Sequence, residues 1–532
     1  MISGSTENLS RCTLCPALCE LSLAWKGPDI PRVEYPRQSG KGLCPRGAAM
    51  GELLASPSRI RKAVISGRQV PMLDAVASVA ERIKDNGAIF FIDANLPLEE
   101  VVAVAETLSG WQQAELCLLG SPEDEQLILG LEASGAAYIA QEDLSQCDGF
   151  VVIGDVFAAN PRCSRYVLDV LMSNRRVPMV VIDSSGSIVA KFARTLISCK
   201  PGEEIEALKS SELAAAIEPC KKLGVIISAE PARGRIWRQL GFLAGQLAKS
   251  HGGGVAVQTA GANAIAAVRL TQQYKLTPLA EAVSPGAEKT RIAIGVDVLG
   301  ILGQMEVEVA VAAAAVPNET TKSAEIVLPV PLPCEMEGSF LQSGHRLTKV
   351  SALMPPPAGV PSVSELVKMI ASSAGIKASA FSGKLPALER ITVDAPAASA
   401  EAGVFDDDAG SKTLTMFRQP AHHYAGALTS QASWQGKGNS PFQVKINPAD
   451  AAELGLKDLD MVRLETKSAG TGAQVQVVEH IPAGTLAVPE GYPQGRRLIR
   501  YEIDSELQTV VSYPVKVKVE KIGSFVDARG AK

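Results

Sequence analysis

The chain has 532 residues, a formal net charge of −5 and 46% hydrophobic residues, and this length predicts roughly two to four domains rather than one hydrophobic core. Aromatic residues make up only 5% of the chain and no basic stripe is present, which argues against a nucleic-acid-binding protein. No apolar run is long enough to cross a bilayer, so we expect no direct membrane span.

The N-terminal stretch MISGSTENLS has neither a charged n-region nor an apolar h-region, so we expect a cytoplasmic protein. Ten cysteines in a chain of this size do not form a disulfide framework, and clustered cysteines in a reducing compartment more often bind metal. Four of them, Cys12, Cys15, Cys19 and Cys44, follow the spacing C-x2-C-x3-C-x24-C.

This spacing predicts a [4Fe–4S] cluster, because such clusters are held by a closely spaced run of cysteines with one remote cysteine. A structural zinc site would show two knuckles or a pair of histidines, and the first histidine of the chain is His251. Zinc and unliganded thiols are the alternatives. The other cysteines are expected to be small buried hydrophobic residues: Cys117, Cys147, Cys163, Cys199, Cys220 and Cys334.

Apolar strands then alternate with amphipathic helices, a pattern typical of parallel sheets covered on both faces. The strand-like runs are GAIFFIDAN, GFVVIGD, VPMVVID, LGVIIS, TRIAIGVD, VEVAVAAAA and SAEIVLP. Ligands of such sheets bind outside the carboxyl ends of the strands. Several runs end in Asp, Asn or Gly, which favours a large nucleotide-like cofactor at that edge: Asp93 and Asn95, Gly154 and Asp155, Asp183, and Gly295 and Asp297.

Residues 394–411, DAPAASAEAGVFDDDAGS, are small or acidic and lack periodicity, which predicts a linker. Beyond it, FQVKINPADAAELGLKDLDMVRLET, AQVQVVEHIPAGTLAVPEG and SYPVKVKVEKI predict short strands joined by turns. The C-terminal part is therefore expected to be a β-rich domain, with one short helix in NPADAAELG.

Five stretches carry a family resemblance: CTLCPALC…GLCPRG, GDVFAANPRCSR, VVIDSSGSIVAKFARTLISCKPGEE, PNETTKSAEIVLPVPLPCEMEGSFLQSGHRLTKV and INPADAAELGLKDLDMVRLET. In this order they resemble the molybdopterin oxidoreductase family, which includes formate dehydrogenases, formylmethanofuran dehydrogenases and the large iron–sulfur subunit of respiratory complex I. The resemblance implies an α/β fold with an N-terminal [4Fe–4S] domain, two interleaved parallel-sheet domains and a C-terminal six-stranded β-barrel. The implied ranges are 1–60 for the cluster, 61–145 with 335–393 for the first α/β domain, 146–334 for the second, 394–411 for the linker and 412–532 for the dinucleotide-binding barrel.

The resemblance also implies a bis-molybdopterin guanine dinucleotide that holds molybdenum or tungsten. Gly154, Asn160 and Pro161 match the family's Gly-x-Asn-Pro turn at the cofactor, although an Asn-Pro pair also suits an ordinary strand-to-helix turn. Asp183 matches a carboxylate at the guanosine end, and the alternative is a helix cap. The other residues expected at the cofactor are Arg46, in place of the family's lysine, the strand-end residue Asn95, and Gly202, Glu203, Thr320, Glu325, His422, His423 and Thr429.

The catalytic residues are less clearly marked. Family members often supply a metal ligand from the first α/β domain, where Cys117 is the one cysteine, but its neighbours are apolar and no histidine follows it. The alternative is a buried strand cysteine. His345 and Arg346, in the glycine-rich return after Gly338, are the other catalytic candidates.

The resemblance, together with the cysteine spacing, implies an iron–sulfur subunit of a formate dehydrogenase-like complex, which passes electrons between the metal–pterin site and other redox subunits, either iron–sulfur or flavin proteins. A small molecule such as formate is the expected substrate. One alternative is a non-catalytic electron-relay or scaffold subunit that keeps the cluster and has lost the pterin, as in the complex I subunit. A zinc-stabilised nucleotide-binding protein ranks last.

Overall fold

The computed structural model describes residues 9–24, 31–36, 44–286, 288–377, 381–396, 403, 411–422, 424–432 and 442–524. The strands are β1 (Ser10–Arg11), β2 (Glu20–Ala24), β3 (Arg32–Glu34), β4 (Ala63–Ile65), β5 (Arg68–Val70), β6 (Ala88–Asp93), β7 (Ala114–Leu119), β8 (Gly149–Ile153), β9 (Met179–Asp183), β10 (Thr195–Ser198), β11 (Leu223–Ile227), β12 (Gly254–Val257), β13 (Thr290–Ile294), β14 (Val311–Ala314), β15 (Ile326–Pro329), β16 (Gly338–Gln342), β17 (Arg346–Val350), β18 (Lys412–Phe417), β19 (Gln443–Ile446), β20 (Met461–Glu465), β21 (Gly470–Val477), β22 (Thr485–Pro489), β23 (Arg500–Asp504), β24 (Thr509–Tyr513) and β25 (Val515–Gly523). The helices are α1 (Pro45–Ala48), α2 (Met50–Ala55), α3 (Met72–Ile83), α4 (Leu98–Ser109), α5 (Pro122–Ser134), α6 (Val156–Ala159), α7 (Cys163–Ser173), α8 (Glu204–Leu208), α9 (Ser211–Ile217), α10 (Ile236–Ser250), α11 (Ala264–Tyr274), α12 (Leu279–Ala282), α13 (Val298–Leu302), α14 (Glu319–Ser323), α15 (Val363–Ser373), α16 (Pro448–Glu453) and α17 (Pro493–Arg496).

The N-terminal unit is a small antiparallel sheet of β1, β2 and β3, followed by the short helices α1 and α2. Leu14, Leu21 and Val33 are buried inside it, and Met50 of α2 packs against them. Leu18 adopts a left-handed φ of 42°, which turns the chain back between the first two strands. So small a core gives this unit little apolar burial of its own.

The first α/β domain is built on a seven-stranded sheet in the order β5-β4-β15-β14-β13-β6-β7. β6, β7, β13, β14 and β15 are parallel, and the β4–β5 hairpin pairs antiparallel at one edge. The strand β6, AIFFID, is buried at every position because helices cover both faces of a parallel sheet. Strand order reverses between β6 and β13, so the carboxyl ends of these two strands open a crevice.

The second α/β domain is a five-stranded parallel sheet in the order β10-β9-β8-β11-β12. β8, β9 and β11 are buried along their whole length. Here the order reverses between β8 and β11, which opens a second crevice at the corresponding place. The chain enters this domain after α5 and returns to the first domain through α11, so the two domains are interleaved.

Glycines let α5 and α10 bring the two α/β domains into close contact. A Cβ on Gly130 of α5 would lie 1.9 Å from the Arg238 carbonyl oxygen of α10. A Cβ on Gly241 would lie 2.5 Å from the Leu127 carbonyl oxygen. Only hydrogen at these positions permits the backbones to pack so closely.

The C-terminal domain is a closed barrel in the order β18-β22-β19-β21-β20-β25. Its interior is apolar, and Leu414, Val444, Val462 and Leu486 are each at most 1% exposed. Alternate residues of these strands face outward. One side of the barrel lies over the carboxyl edge of the second sheet. The separate β23–β24 hairpin packs against α5 and α12 of the first domain.

The predicted α/β fold with parallel sheets and a six-stranded C-terminal barrel is confirmed. The domain boundary differs from the expectation. β13, β14 and β15 fall within the range 146–334 that was assigned to the second domain, yet they complete the first sheet, and the second sheet ends at β12. Of the expected linker 394–411, only residues 394–396, 403 and 411 are described. No helix among the described residues is long and apolar enough to cross a membrane.

The α5–α10 contact predicts an effect on stability. Gly130→Ala would place its Cβ against backbone, so we expect a loss of about 1–3 kcal/mol or more and a lower melting temperature. Gly472→Ala is the matched control, since nothing lies within 4 Å of its Cβ. Calorimetry of both variants measures the difference, and equal melting temperatures would show that the contact is not tight.

Candidate functional site

The four cysteines of the predicted cluster come together at the N-terminus. Cys12, Cys15 and Cys19 lie on the loop between β1 and β2 and are buried, and Cys44 directly precedes α1. The Cys12 N–H donates to the Cys19 carbonyl over 2.8 Å and closes this loop. Burial raises the pKa of Cys12, and repulsion from Cys15, Cys44 and Cys19 raises it further. The four thiols are therefore close enough to affect one another's charge.

The cysteine spacing predicts an iron–sulfur cluster rather than zinc. In a structural zinc site all ligands lie roughly 2.0–2.3 Å from one ion, whereas in a cubane each thiolate binds a different iron. Among the described residues, no group of three His, Cys, Asp or Glu side chains is arranged to hold a metal ion.

Polar groups around the cysteines suit sulfur acceptors. The buried Tyr35 hydroxyl has no hydrogen-bond partner, and burial followed by the nearby thiols raises its pKa. Arg162 donates a side-chain hydrogen bond to Cys19. A Cβ on Gly47 would lie 2.5 Å from the Tyr35 hydroxyl, so glycine is needed for the approach. The residues present therefore fit a cluster with donors at its edge.

Arg46 lies between the cysteines and the rest of the molecule. It is only 3% exposed, and its guanidinium donates to the carbonyls of Ala158 at 2.6 Å, Ala159 at 2.7 Å and Pro420 at 3.2 Å. Burial raises the pKa of Cys15 to about 12, and the charge of Arg46 opposes that shift. Arg46 thus joins the cysteine unit to α6 and to the segment that follows β18.

A cavity of about 540 Å³ lies between the carboxyl edge of the second sheet and the barrel. We call it the cysteine–barrel cavity. Its volume lies within the roughly 300–1,000 Å³ of ordinary ligand sites. The lining residues come from the cysteine unit, the second α/β domain and the barrel: Cys44, Pro45, Asp155, Phe157, Ala158, Pro161, Ser164, Leu168, Gly186, Ile188, Lys191, Phe192, Phe417, Arg418, Gln419, Pro420, Lys445, Gln476, Val478 and His480.

Lys445 on β19 is the buried cation of this cavity. Its Nζ donates to the Gly186 carbonyl over 2.8 Å and lies 3.5 Å from the centre of the Phe417 ring. Burial lowers the pKa of Lys445, while the carboxylates of Asp155 and Asp183 oppose that shift. Burial raises the pKa of Asp155 to about 7. A buried ammonium beside a cavity is suited to an anionic ligand.

Several buried polar atoms at this edge lack hydrogen-bond partners. They include Ser187 Oγ, next to the lining residue Gly186, and Gln419 Nε2. Buried polar groups are normally paired, so unpaired ones at a cavity indicate a polar ligand or water. Gly154 has a φ of 78°, and a Cβ there would lie 2.5 Å from the Ser228 carbonyl oxygen. This turn therefore requires glycine.

Two predicted cofactor residues use their side chains to shape the edge. Asn160 donates to Gln141 at 3.0 Å and to Gln258 at 2.8 Å, and accepts from the N–H of Cys163 at 3.2 Å. Asp183 accepts from the N–H groups of Ser185 at 3.2 Å and Ser187 at 2.9 Å, and the first of these bonds forms an Asx turn. These contacts favour the turn interpretations of both residues, whereas Pro161 lines the cavity directly.

The predicted KPGEE turn places a different glutamate inside. Glu203 is exposed, whereas Glu204 is 3% exposed and pairs with Arg233 at 2.9 Å. Gly202, with a φ of 96°, donates its N–H to Glu204 Oε2 over 2.7 Å. A sequence pattern cannot distinguish the two adjacent glutamates, because their side-chain directions depend on the turn.

Sequence reasoning missed three residues of the site: Glu230, Arg233 and Lys445. Glu230 and Arg233 follow β11 at the edge where ligands bind, so the run SAEPARGR held a signal. Lys445 stands between the apolar Val444 and Ile446. The same alternation of polar and apolar residues is typical of a barrel strand with one face in solvent.

The residues that were expected at the cofactor but lie in the first α/β domain do not line the cysteine–barrel cavity. Thr320 is buried and donates to Asp297 over 2.8 Å. Glu325 pairs with Arg82 just before β15, at the amino edge of the sheet, which is opposite to the ligand-binding edge. Asn95 donates to the Thr13 carbonyl over 2.8 Å and so anchors the cysteine loop to the first domain.

None of the three catalytic candidates lines the cysteine–barrel cavity. Cys117 lies inside β7, is 1% exposed, and its pKa is raised by burial among apolar residues. This placement favours the buried-strand interpretation. His345 and Arg346 are exposed at the turn between β16 and β17, where Arg346 donates to Gln342.

His422 and Thr429 lie together in the segment that leads from β18 towards β19. His422 Nδ1 is 3.0 Å from Thr429 Oγ1, and its ring packs edge-on against Tyr492. Burial, with a smaller effect of Arg46, lowers the pKa of His422 to about 4, and its buried Nε2 has no hydrogen-bond partner. His423, also predicted at the cofactor, lies outside the described residues.

Comparisons with known proteins agree with this geometry. Residues 413–514, which form most of the barrel, match the Molydopterin dinucleotide binding domain. A nitrate reductase of Klebsiella oxytoca is 22% identical over 218 residues, which cover 37% of this chain but only 25% of that enzyme. The structure of acetylene hydratase from Pelobacter acetylenicus superposes with a TM-score of 0.62 at 10% identity and covers 96% of this chain and 100% of that one.

The matched barrel is the wall of the cavity that carries Lys445 and His480. The superposition shows that the interleaved arrangement of domains is shared along almost the whole chain. The domain match supports a molybdopterin cofactor. Together these similarities support a member of the molybdopterin oxidoreductase family.

Proposed function

We propose that this chain is the iron–sulfur subunit of a molybdopterin-dependent oxidoreductase complex. In this proposal the four N-terminal cysteines hold a [4Fe–4S] cluster, and the cysteine–barrel cavity holds a guanine dinucleotide arm of the metal–pterin cofactor. Electrons pass one at a time between the two sites and leave through partner subunits, iron–sulfur or flavin proteins.

The observation that carries the proposal is the position of Cys44. This cysteine belongs to the predicted ligand set and, with Pro45, also lines the cavity that the dinucleotide-binding barrel covers. Lys445 and His480 line the same cavity from the barrel side. A ligand in the cavity would therefore contact both the barrel and the cluster unit.

When bound, the metal–pterin group would supply two-electron chemistry and the cluster single-electron transfer. The chain's own contribution is position and charge. Arg46 keeps a fixed positive charge between Cys15 and the cavity, because a guanidinium does not lose its proton in proteins. Tyr35 and Arg162 would donate to cluster sulfurs, which is one way in which proteins set a reduction potential.

The nucleotide arm has a matching set of partners. Lys445 and Lys191 supply cations for a diphosphate, and the unpaired Gln419 Nε2 supplies a further polar contact. Asp183, at the end of β9, holds the turn beside the cavity through its hydrogen bonds to backbone N–H groups. The family resemblance implies molybdenum or tungsten as the bound metal.

The proposed reaction is the oxidation or reduction of a small substrate such as formate. This part rests on the family resemblance, since the nitrate reductase and acetylene hydratase that the chain resembles are named for different substrates. The match to the dinucleotide-binding domain supports an oxidoreductase of this family, whereas the choice of substrate depends on residues around the metal.

One observation favours a second candidate, a relay or scaffold subunit without turnover. Cys117 is buried within a strand, and His345 and Arg346 are exposed at a hairpin. These positions leave the proposed metal without a ligand from the residues that the sequence suggested. The relay reading keeps the cluster and predicts iron without pterin, so cofactor analysis separates the two candidates.

Metal and nucleotide analysis of anaerobically purified protein tests the proposal. We expect about four irons per chain, together with molybdenum or tungsten and guanine released on denaturation. Iron without pterin or guanine would support the relay reading. A folded protein that lacks iron and holds zinc would contradict the cluster assignment.

The cysteine site predicts a selective loss of iron. Cys15→Ala removes one proposed ligand, so we expect the iron content and the brown absorbance to fall by at least half. Cys117→Ala is the matched control, because that thiol lies in the apolar core of the first domain, and it should retain its iron. Iron analysis and electron paramagnetic resonance measure both. Equal iron contents would refute the ligand assignment.

The buried lysine predicts a loss of nucleotide. A hydrogen bond to a charged group is worth about 1.5–3 kcal/mol, so Lys445→Ala should weaken retention of the dinucleotide roughly 10- to 100-fold. Lys518→Ala, at an exposed position on β25, is the control and should have no effect. Guanine released per chain is the measurement, and equal release from both variants would place the diphosphate elsewhere.

A further inference from the structure

The two α/β domains offer two equivalent places for a nucleotide. Each sheet reverses its strand order once, between β8 and β11 in the second domain and between β6 and β13 in the first. Ligands of such sheets bind at these reversals. The cysteine–barrel cavity lies at the carboxyl ends of β8 and β9, beside the reversal in the second domain. We call the place at the other reversal the first-domain crevice, and it is lined in part by Asp93, Gly295, Asp297, Val316, Met336 and Ala425.

The two places differ greatly in size. The first-domain crevice encloses about 70 Å³, against about 540 Å³ for the cysteine–barrel cavity. A single water occupies roughly 30 Å³ in the liquid, whereas sites for larger organic ligands enclose roughly 300 Å³ or more. The crevice is therefore too small for a guanosine diphosphate arm.

The charged side chains that line the two places also favour a nucleotide in the cysteine–barrel cavity. Four cationic or potentially cationic side chains line the cysteine–barrel cavity: Lys191, Arg418, Lys445 and His480. Within the described part of the chain, no lysine, arginine or histidine lines the first-domain crevice, and its charged residues are Asp93 and Asp297. Two carboxyl groups without a cation disfavour a diphosphate.

The polar atoms of the crevice are already used within the protein. Asp297 Oδ1 accepts from the N–H of Thr320 at 3.0 Å, from its hydroxyl at 2.8 Å and from the N–H of Gly300 at 3.2 Å. Asp93 Oδ1 accepts from the N–H of Asn95 at 2.9 Å. These groups hold the local turns together, whereas Gln419 Nε2 at the cysteine–barrel cavity has no hydrogen-bond partner.

The chain itself fills the crevice. Tyr424, Ala425 and Leu428 line it, and all three belong to the segment between β18 and β19. A Cβ on Gly300 would lie 3.1 Å from the Ala425 Cβ, which shows how closely the segment approaches α13. A Cβ on Gly426 would lie 2.2 Å from the Gly491 carbonyl oxygen, so the barrel supports the segment from behind.

We infer that this chain binds one guanine dinucleotide, in the cysteine–barrel cavity, and that residues 424–428 close the equivalent place in the first α/β domain. The inference rests on the proposed function and differs from the two dinucleotides that the family resemblance implies. A second dithiolene ligand, if present, would then come without a nucleotide arm at this position.

The ratio of guanine to molybdenum plus tungsten tests the inference, because a ratio does not depend on how fully the protein is loaded. Denaturation of the anaerobically purified chain releases guanine nucleotide for chromatography, and mass spectrometry counts the metals. One guanine per metal is expected. Two guanines per metal would overturn the inference and leave the proposed function standing. Iron with neither guanine nor molybdenum nor tungsten would overturn both.

Two matched variants locate the nucleotide independently. Ala158→Leu adds bulk to the cysteine–barrel cavity and should reduce bound guanine at least fivefold. Ala314→Leu adds the same bulk to the first-domain crevice and should leave guanine per chain unchanged. Circular dichroism and melting curves of each variant report folding. Loss of half of the guanine in folded Ala314→Leu would show that the crevice holds a dinucleotide and would refute the inference.

Discussion

Two buried arginines fix the barrel over the α/β domains. Arg233 is fully buried and pairs with Glu204 at 2.9 Å and with Glu230, and it also donates to the Met416 carbonyl of β18. Arg418 pairs with Asp124 of α5 at 2.8 Å. A buried charge that loses its partner costs about 3–5 kcal/mol. The barrel is therefore held at a fixed distance from the second sheet. The space that remains between them is the cysteine–barrel cavity.

Arg46 extends this arrangement to the cysteine unit. Its guanidinium is hydrogen-bonded to carbonyls from α6 and from the segment after β18, so a single side chain joins three parts of the molecule. Few apolar residues are available to the small N-terminal unit, which makes such polar anchors more important. Arg46 also lies beside Cys15 and near His422. The side chain that anchors the cysteine unit therefore also sets the charge around these two residues.

One segment lines both the cysteine–barrel cavity and the first-domain crevice. Directly after β18, Gln419 and Pro420 line the cysteine–barrel cavity, and a few residues later Ala425 and Leu428 line the first-domain crevice. Because Arg418 is tied to α5, the segment has little freedom in where it crosses the molecule. An open place on one side and a filled place on the other thus follow from the same path of the chain.

The sequence alone determined the cysteine spacing, the apolar parallel strands and the β-rich C-terminal part, because each depends on residues that are near one another in the chain. It did not determine that β13 to β15 join the first sheet, that Glu204 rather than Glu203 points inward, or that Lys445 lies against a cavity. Those features depend on crossovers, turn geometry and the packing of one domain on another. Pairings between residues far apart in the chain are formed only when the whole molecule folds, and a local pattern cannot specify them.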